Sequence, residues 1–228
     1  KQVVVEDRTP ALYLYDQSFQ DPWGARRTRR SVVAAVRLTP FEERVVLPHE
    51  RTLSAPKEDR FSLMSALGAQ TSPVFGLFED PANTVLSALD FAKKAIAKAT
   101  TPDGITHALS RVESREAIRA VAGFLKTRQI LIADGHHRYE TAVRFAASGA
   151  DRAAQNPNAA SNFTLFALTP LGDKGLVILP THRLVRDIDL GAAPDEALHA
   201  KLKATGFHIA PLASPAECEA ELAKFKDD

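Results

Sequence analysis

The stretch QILIADGHHRYETAVRFAA, residues 129–147, limits what this chain can fold into more than any other. Its apolar run QILIA reads as a strand, which stops at Asp134 and Gly135. Beyond them Tyr139, Ala142, Val143 and Ala146 recur at helical spacing. A strand that enters a helix through one glycine calls for a sheet with a helix on it, which disfavours all-α and all-β folds. The same junction is a seat for an anion. The first N–H groups of the helix lack intrahelical partners, and the positive end of its dipole lies behind them. Gly135 lets a ligand approach the backbone closely. Arg138 can grip phosphate or carboxylate in a fork, and His136 and His137 can donate hydrogen bonds or shuttle a proton. Asp134 alone also reads as a simple helix cap, but two histidines and an arginine directly after an apolar strand fit that reading poorly.

Elsewhere strands and helices mix without strict alternation, which predicts a mixed α/β (α+β) fold with a mixed sheet flanked by helices. ALYLYD (11–16) and SVVAAVRL (31–38) read as strands of an antiparallel hairpin, joined by a long loop, DPWGARRTRR (21–30). Residues 45–70 run from a strand through an irregular stretch into a helix signalled by Ser54 and Pro56, with Phe61, Met64 and Leu67 apolar. PVFGLFED (73–80) is a short strand. TVLSALDFAKKAIAKA (84–99) puts Val85, Leu89, Ala92 and Ile96 on one helical face, and SREAIRAVAGFLKT (114–127) does so with Ile118, Val121, Ala122 and Leu125. NFTLFALTPLGDKGLVILP (162–180) reads as a hairpin around PLGDKG. In the tail, a helix closes on Gly206, the strand FHIAPL follows, and Ser214, Pro215 and Glu217 match a capping box. Residues 1–186 are expected to form a core domain and 187–228 the start of a further subdomain. The chain opens in mid-pattern without an initiator Met, as a fragment of a longer protein would.

Three apolar strands end in segments holding His and Arg: PHERT (48–52), DGHHR (134–138) and PTHR (180–183). Four of the seven histidines lie there. Converging strand ends would make one cationic pocket with a single good base, Glu50. The candidate catalytic residues are therefore Glu50, as general base, and His137. Gly135, His136, Arg138 and Arg183 are the candidate phosphate contacts, with Lys57 and Arg60 behind them. Asp134 is the candidate metal contact, through a nucleotide-borne Mg²⁺. A site held mainly by side chains is weaker, because His136 and His137 diverge by about 100° on a helix. Lys plus Arg total 29 against 28 for Asp plus Glu, so the global basic excess of a nucleic-acid binder is missing, and RRTRR (26–30) lacks interleaved aromatics. The single cysteine, Cys218, precludes an intrachain disulfide and points to a reducing cytoplasm. With Leu222 and Phe225 at helical spacing it reads as core. No apolar run reaches the roughly 20 residues that a membrane helix needs.

ALYLYDQSF, PHERT…PKEDR, SPVFGLF, ILIADGHHRYETA and LVILPTHRLV, in this order, resemble a bacterial family known as domain of unknown function 1015, over roughly residues 10–186. That resemblance brings no activity. The strand, the turn Gly135–Arg138 and the helix more distantly resemble the ParB/sulfiredoxin-like superfamily, whose corresponding turn binds nucleotide phosphates and some of whose members are free-serine kinases. This second resemblance implies ATP or ADP with Mg²⁺ and makes Glu50 the counterpart of the catalytic acid. Together these readings lead to an expected phosphotransferase acting on a small-molecule hydroxyl, serine-like. A metal-dependent hydrolase and a non-catalytic nucleotide or metabolite sensor are the alternatives. The sequence leaves the oligomeric state open.

Overall fold

The computed structural model describes residues 7–50, 54–148, 156–179, 194–209, 212–214, 217–218 and 220–221. The chain forms two compact units, Lys1–Ile178 and Leu179–Asp228. The first is built on a mixed sheet of eight strands: β1 (Leu12–Gln20), β2 (Arg26–Arg37), β3 (Val46–Leu47), β4 (Val74–Phe78), β5 (Lys93–Thr100), β6 (Thr106–Val112), β7 (Ile130–Asp134) and β8 (Phe163–Pro170). Their order in space is β3-β7-β4-β8-β2-β1-β6-β5. β3 is parallel to β7, and β4 to β8; the remaining pairs are antiparallel. Among the described residues, helices α1 (Ser54–Leu67), α2 (Thr84–Asp90), α3 (Arg115–Leu125) and α4 (His136–Ala147) belong to this unit and α5 (Pro194–Ala204) to the second.

Register determines which side chains are neighbours. Leu14 pairs with Val32, Val32 with Leu168, and Phe166 with Val74, so these residues share one face of the pleated sheet. That face carries the core, where Val85, Leu86 and Leu89 of α2, Ala117 and Val121 of α3 and Tyr139 of α4 join the strand residues. Burying this continuous apolar face is the main drive for the fold. Gly76 is needed in its middle. A Cβ there would come within 2.8 Å of Ile130 Cγ2 and 2.9 Å of Phe166 Cδ1.

Buried carboxylates shape the turns. Asp80 accepts from the backbone N–H of Thr84 and Val85, both at 2.8 Å, and so starts α2. Asp21 accepts from Trp23 and Ala25 and pairs with Arg27 Nε at 2.6 Å, which tightens the β1–β2 hairpin to a five-residue connection. This corrects the expected long loop: RRTRR lies in β2, where Arg27, Arg29 and Arg30 all have intramolecular partners.

Two further expectations are corrected. The helix expected over 84–99 stops at Asp90, and Lys93–Thr100 forms an edge strand instead. Its partner, β6, carries no sequence expectation at all. The turn between them, Thr101–Ile105, is closed by the Thr101 N–H on the Ile105 carbonyl, with Gly104 at φ +82°. The hairpin expected over 162–180 is also missing among the described residues. β8 forms, but both its flanks are taken, by β2 and β4, and residues 171–179 make no strand. Lys174 and Gly175 lie against the first half of β2, where Arg27 donates to the Lys174 carbonyl. Gly175 sits so close that a Cβ would fall 2.1 Å from the Thr28 carbonyl oxygen.

In the second unit, α5 closes on Gly206 at φ +90°. Half of the expected capping box is present, since Ser214 Oγ accepts from Glu217 N, whereas Glu217 Oε2 accepts from Ala213 N at 2.8 Å, one residue before the cap, and Pro215 lies outside the described residues. Phe207–Ile209 and Leu212 are not in a strand, and residues 210 and 211 of that expected strand lie outside the described residues. Cys218 is half-buried; Leu222 and Phe225 lie outside them. Among the described residues no helix is long and apolar enough to cross a membrane.

Candidate functional site

Because β3 and β7 are parallel neighbours, both strands deliver their following residues to one edge of the sheet, where α4 begins. β7 opposes β4, and Phe75 pairs with Asp134, so Ser72 and Pro73 reach the same edge from the other side. The sequence segments around His49–Glu50, Ser72–Pro73 and Asp134–Arg138 are thereby gathered together.

His136, first residue of α4, is 1% exposed. Its Nε2 accepts from the backbone N–H of His49 at 3.2 Å, which leaves the proton of the neutral ring on Nδ1. Nδ1 lies 3.1 Å from Glu50 Oε1 but without the alignment of a hydrogen bond. The His49 ring stands edge-on to it, with centroids 4.6 Å apart. Burial pushes the imidazolium pKa of His136 down, against the opposing pull of Glu50. The Glu50 side chain is 52% exposed, so its carboxylate faces solvent as well as the imidazole.

On the other flank of the helix start, Gly135 takes φ +96° and provides no side-chain cap for α4. The Arg138 guanidinium folds back over it: a Cβ on Gly135 would meet three guanidinium atoms at 3.0 Å. Arg138 donates to the Pro73 carbonyl, and its Nη2 to Asp134 Oδ2 at 2.5 Å. Asp134 is 72% exposed. Arg60, Ser72, Arg138, Thr141 and Thr164 line a small notch of about 30 Å³ between α1, α4 and the strand ends.

Of the expected site residues, then, Glu50, Asp134, Gly135, His136 and Arg138 come together, and Arg60 lines the adjoining notch. His137 is half-buried in the first turn of α4. Lys57 lies in the first turns of α1. Arg183 and His182, with the whole PTHR segment beyond Leu179, lie outside the described residues, as do Arg51 and Thr52 of PHERT. Ser72 and Thr141 were not singled out in the sequence. Thr141 stands three residues after Arg138, so helical spacing alone puts both on one face; Ser72 carried no such signal.

Asp134 offers one exposed carboxylate with an oxygen engaged by Arg138, and among the described residues no three His, Cys, Asp or Glu gather as a metal cage. A Mg²⁺ at this edge would draw most of its oxygen ligands from phosphate and water, as Mg²⁺ commonly does.

A family model described as protein of unknown function (DUF1015) matches residues 1–225. No curated protein and no solved structure matches the chain.

Proposed function

The chain belongs to the DUF1015 family, and from that premise we propose that it binds a nucleotide or another phosphorylated small molecule and transfers a phosphoryl group to a small-molecule hydroxyl. The observation that carries this reading is the meeting of Glu50 with the uncapped start of α4. A base and an anion seat thus share one sheet edge. Phosphoryl transfer asks mainly for positioning and charge neutralisation, which the positive end of a helix and a guanidinium supply. Arg138 takes the phosphoryl oxygens as the exposed Asp134 carboxylate yields its place. Glu50, 3.1 Å from His136 Nδ1, accepts the proton of the acceptor hydroxyl. His137 is the second catalytic candidate, and Lys57 and Arg60 are further phosphate contacts of the same proposal, with ATP or ADP as phosphoryl donor. Mg²⁺ bound with it would neutralise phosphate charge. The resemblance of the β7–α4 turn to ParB/sulfiredoxin-like proteins agrees with this chemistry.

The test is a thermal-shift series with nucleotides, inorganic phosphate and divalent metals, wild type beside Arg138→Ala. A ligand at a hundred times its Kd stabilises the native state by about 2.7 kcal/mol. In a chain of this size that raises Tm by roughly 5–10 °C. The expected result is a nucleotide shift that Arg138→Ala abolishes. Nucleotide binding that survives Arg138→Ala overturns the reading, and a shift with metal alone favours the hydrolase. Binding followed by no turnover in a phosphoryl-transfer assay leaves a sensor.

A further inference from the structure

The notch beside Arg138 holds a polar group without a partner. Thr141 is 1% exposed, and its Oγ1 makes no hydrogen bond among the described residues. A buried hydroxyl with nothing to bond is costly, and native proteins seldom leave one so. Thr141 lines the notch together with Arg60, Ser72, Gln70, Thr164 and Arg138. Gln70 is not available to a ligand. Its amide nitrogen donates to the Phe163 carbonyl at 3.0 Å, and its oxygen accepts from Leu165 N at 2.6 Å and from Thr164 Oγ1 at 3.1 Å. Gln70 therefore closes the wall as a pseudo-strand beside β8 and takes up the Thr164 hydroxyl. What remains are the Thr141 hydroxyl, the Arg60 guanidinium on the exposed side of α1, Ser72, which accepts from Arg138 Nη1 at 3.4 Å, and Arg138 itself, whose guanidinium Asp134 must yield to a ligand. The notch, at about 30 Å³, has room for one oxygen-sized group.

We infer that the notch between α1 and α4 is an oxyanion subsite: one phosphoryl oxygen enters it and accepts a hydrogen bond from Thr141 Oγ1, while Arg60 and Arg138 neutralise the group's charge. This rests on the proposed phosphate chemistry and assigns a position to the phosphoryl group within it. Two positive groups beside a free hydroxyl donor favour an anionic oxygen over a neutral one, because charge-assisted bonds are about twice as strong.

The experiment is a calorimetric titration of the full chain with inorganic phosphate, alongside the melting temperature of each unliganded variant. Thr141→Val preserves shape and removes only the hydroxyl, so the unliganded protein should melt no lower than wild type, while phosphate affinity falls by about tenfold or more. Thr141→Ser should restore binding, and Arg60→Gln, on an exposed helix surface, should weaken it without affecting folding. Wild-type affinity in both Thr141→Val and Arg60→Gln overturns the subsite, with the notch then holding a structural water. If those two bind normally while Arg138→Ala does not, the subsite fails and the phosphate reading stands. If wild type binds neither phosphate nor nucleotide, both fail.

Discussion

At 1% exposure the charged form of the His136 ring lacks the solvation it needs, and a proton on Nε2 would displace the bond that this atom accepts from the His49 N–H. Its folded pKa lies below the ordinary histidine value of about 6.5, the value expected in the unfolded chain. Between those two pKa values the unfolded state binds more protons, so stability is full above about pH 6.5 and declines as pH falls towards the folded pKa. Urea denaturation from pH 8 to pH 5 should show this decline in wild type and a flatter profile in His136→Asn; equal slopes would remove His136 as the source. Tyr139, one turn on, gives a second residue-scale test. Its hydroxyl donates to the Thr39 carbonyl at 2.8 Å and accepts from the Thr39 N–H at 3.1 Å, with the ring fully buried. Tyr139→Phe leaves both backbone groups short of a partner and should cost about 1–3 kcal/mol in the same assay. The sequence already held part of this. His136 lies three residues before Tyr139 and seven before Val143, on one inward stripe, so its burial was legible from helical spacing. The bond from His49 was not, because it depends on which strand lies beside β7.

At the scale of elements, local signals located what local physics decides. The β7–Gly135–α4 junction, β4, α3 and the Ser214 cap on Glu217 N all follow from apolar spacing and cap chemistry. Local signals mislead where pairing overrides propensity. Ala- and Lys-rich Lys93–Thr100 has a helical composition, yet β6 offers it a free edge, and the turn signal Thr101-Pro102-Asp103-Gly104 closes the hairpin. The run after PLGDKG has strand composition, yet both flanks of β8 are occupied. Gly76 makes the cost of such crowding measurable. It sits in β4 between β7 and β8, and an added methyl would press on Ile130, Phe166 and Leu168 together. Gly76→Ala should destabilise by about 1–3 kcal/mol as overpacking does, whereas Gly123→Ala, in α3 with open space around it, should be neutral or stabilising. Equal effects of the two would show that the β4 neighbours yield.

Across the whole molecule, the sheet ends differently on its two sides. One edge is β3, only two residues long, and the other is β5, exposed along its length and carrying Lys93, Lys94 and Lys98. A short edge and a lysine-studded one both resist pairing with another chain. The β5 edge is tied to the centre by Arg30 of β2, which bonds Asp90, the last residue of α2, at 2.6 Å and Asp16 of β1 at 3.2 Å; Lys93 joins Asp90 at 2.7 Å. Arg30, with help from Lys93, holds the Asp90 carboxyl down at about 2. A depressed carboxyl contributes stability above its unfolded pKa of about 4 and loses it as pH falls towards 2. Because Asp90 is 36% exposed, solvent screening reduces the contribution to about 1 kcal/mol. Asp90→Asn should therefore cost about 1 kcal/mol at pH 7, and the gap from wild type should narrow below pH 4 and close near pH 2. Urea midpoints at pH 7, 5, 4 and 3 measure it. A gap that stays constant across that range would mean that Asn fails there for reasons of packing and that the ion pair does not hold the edge.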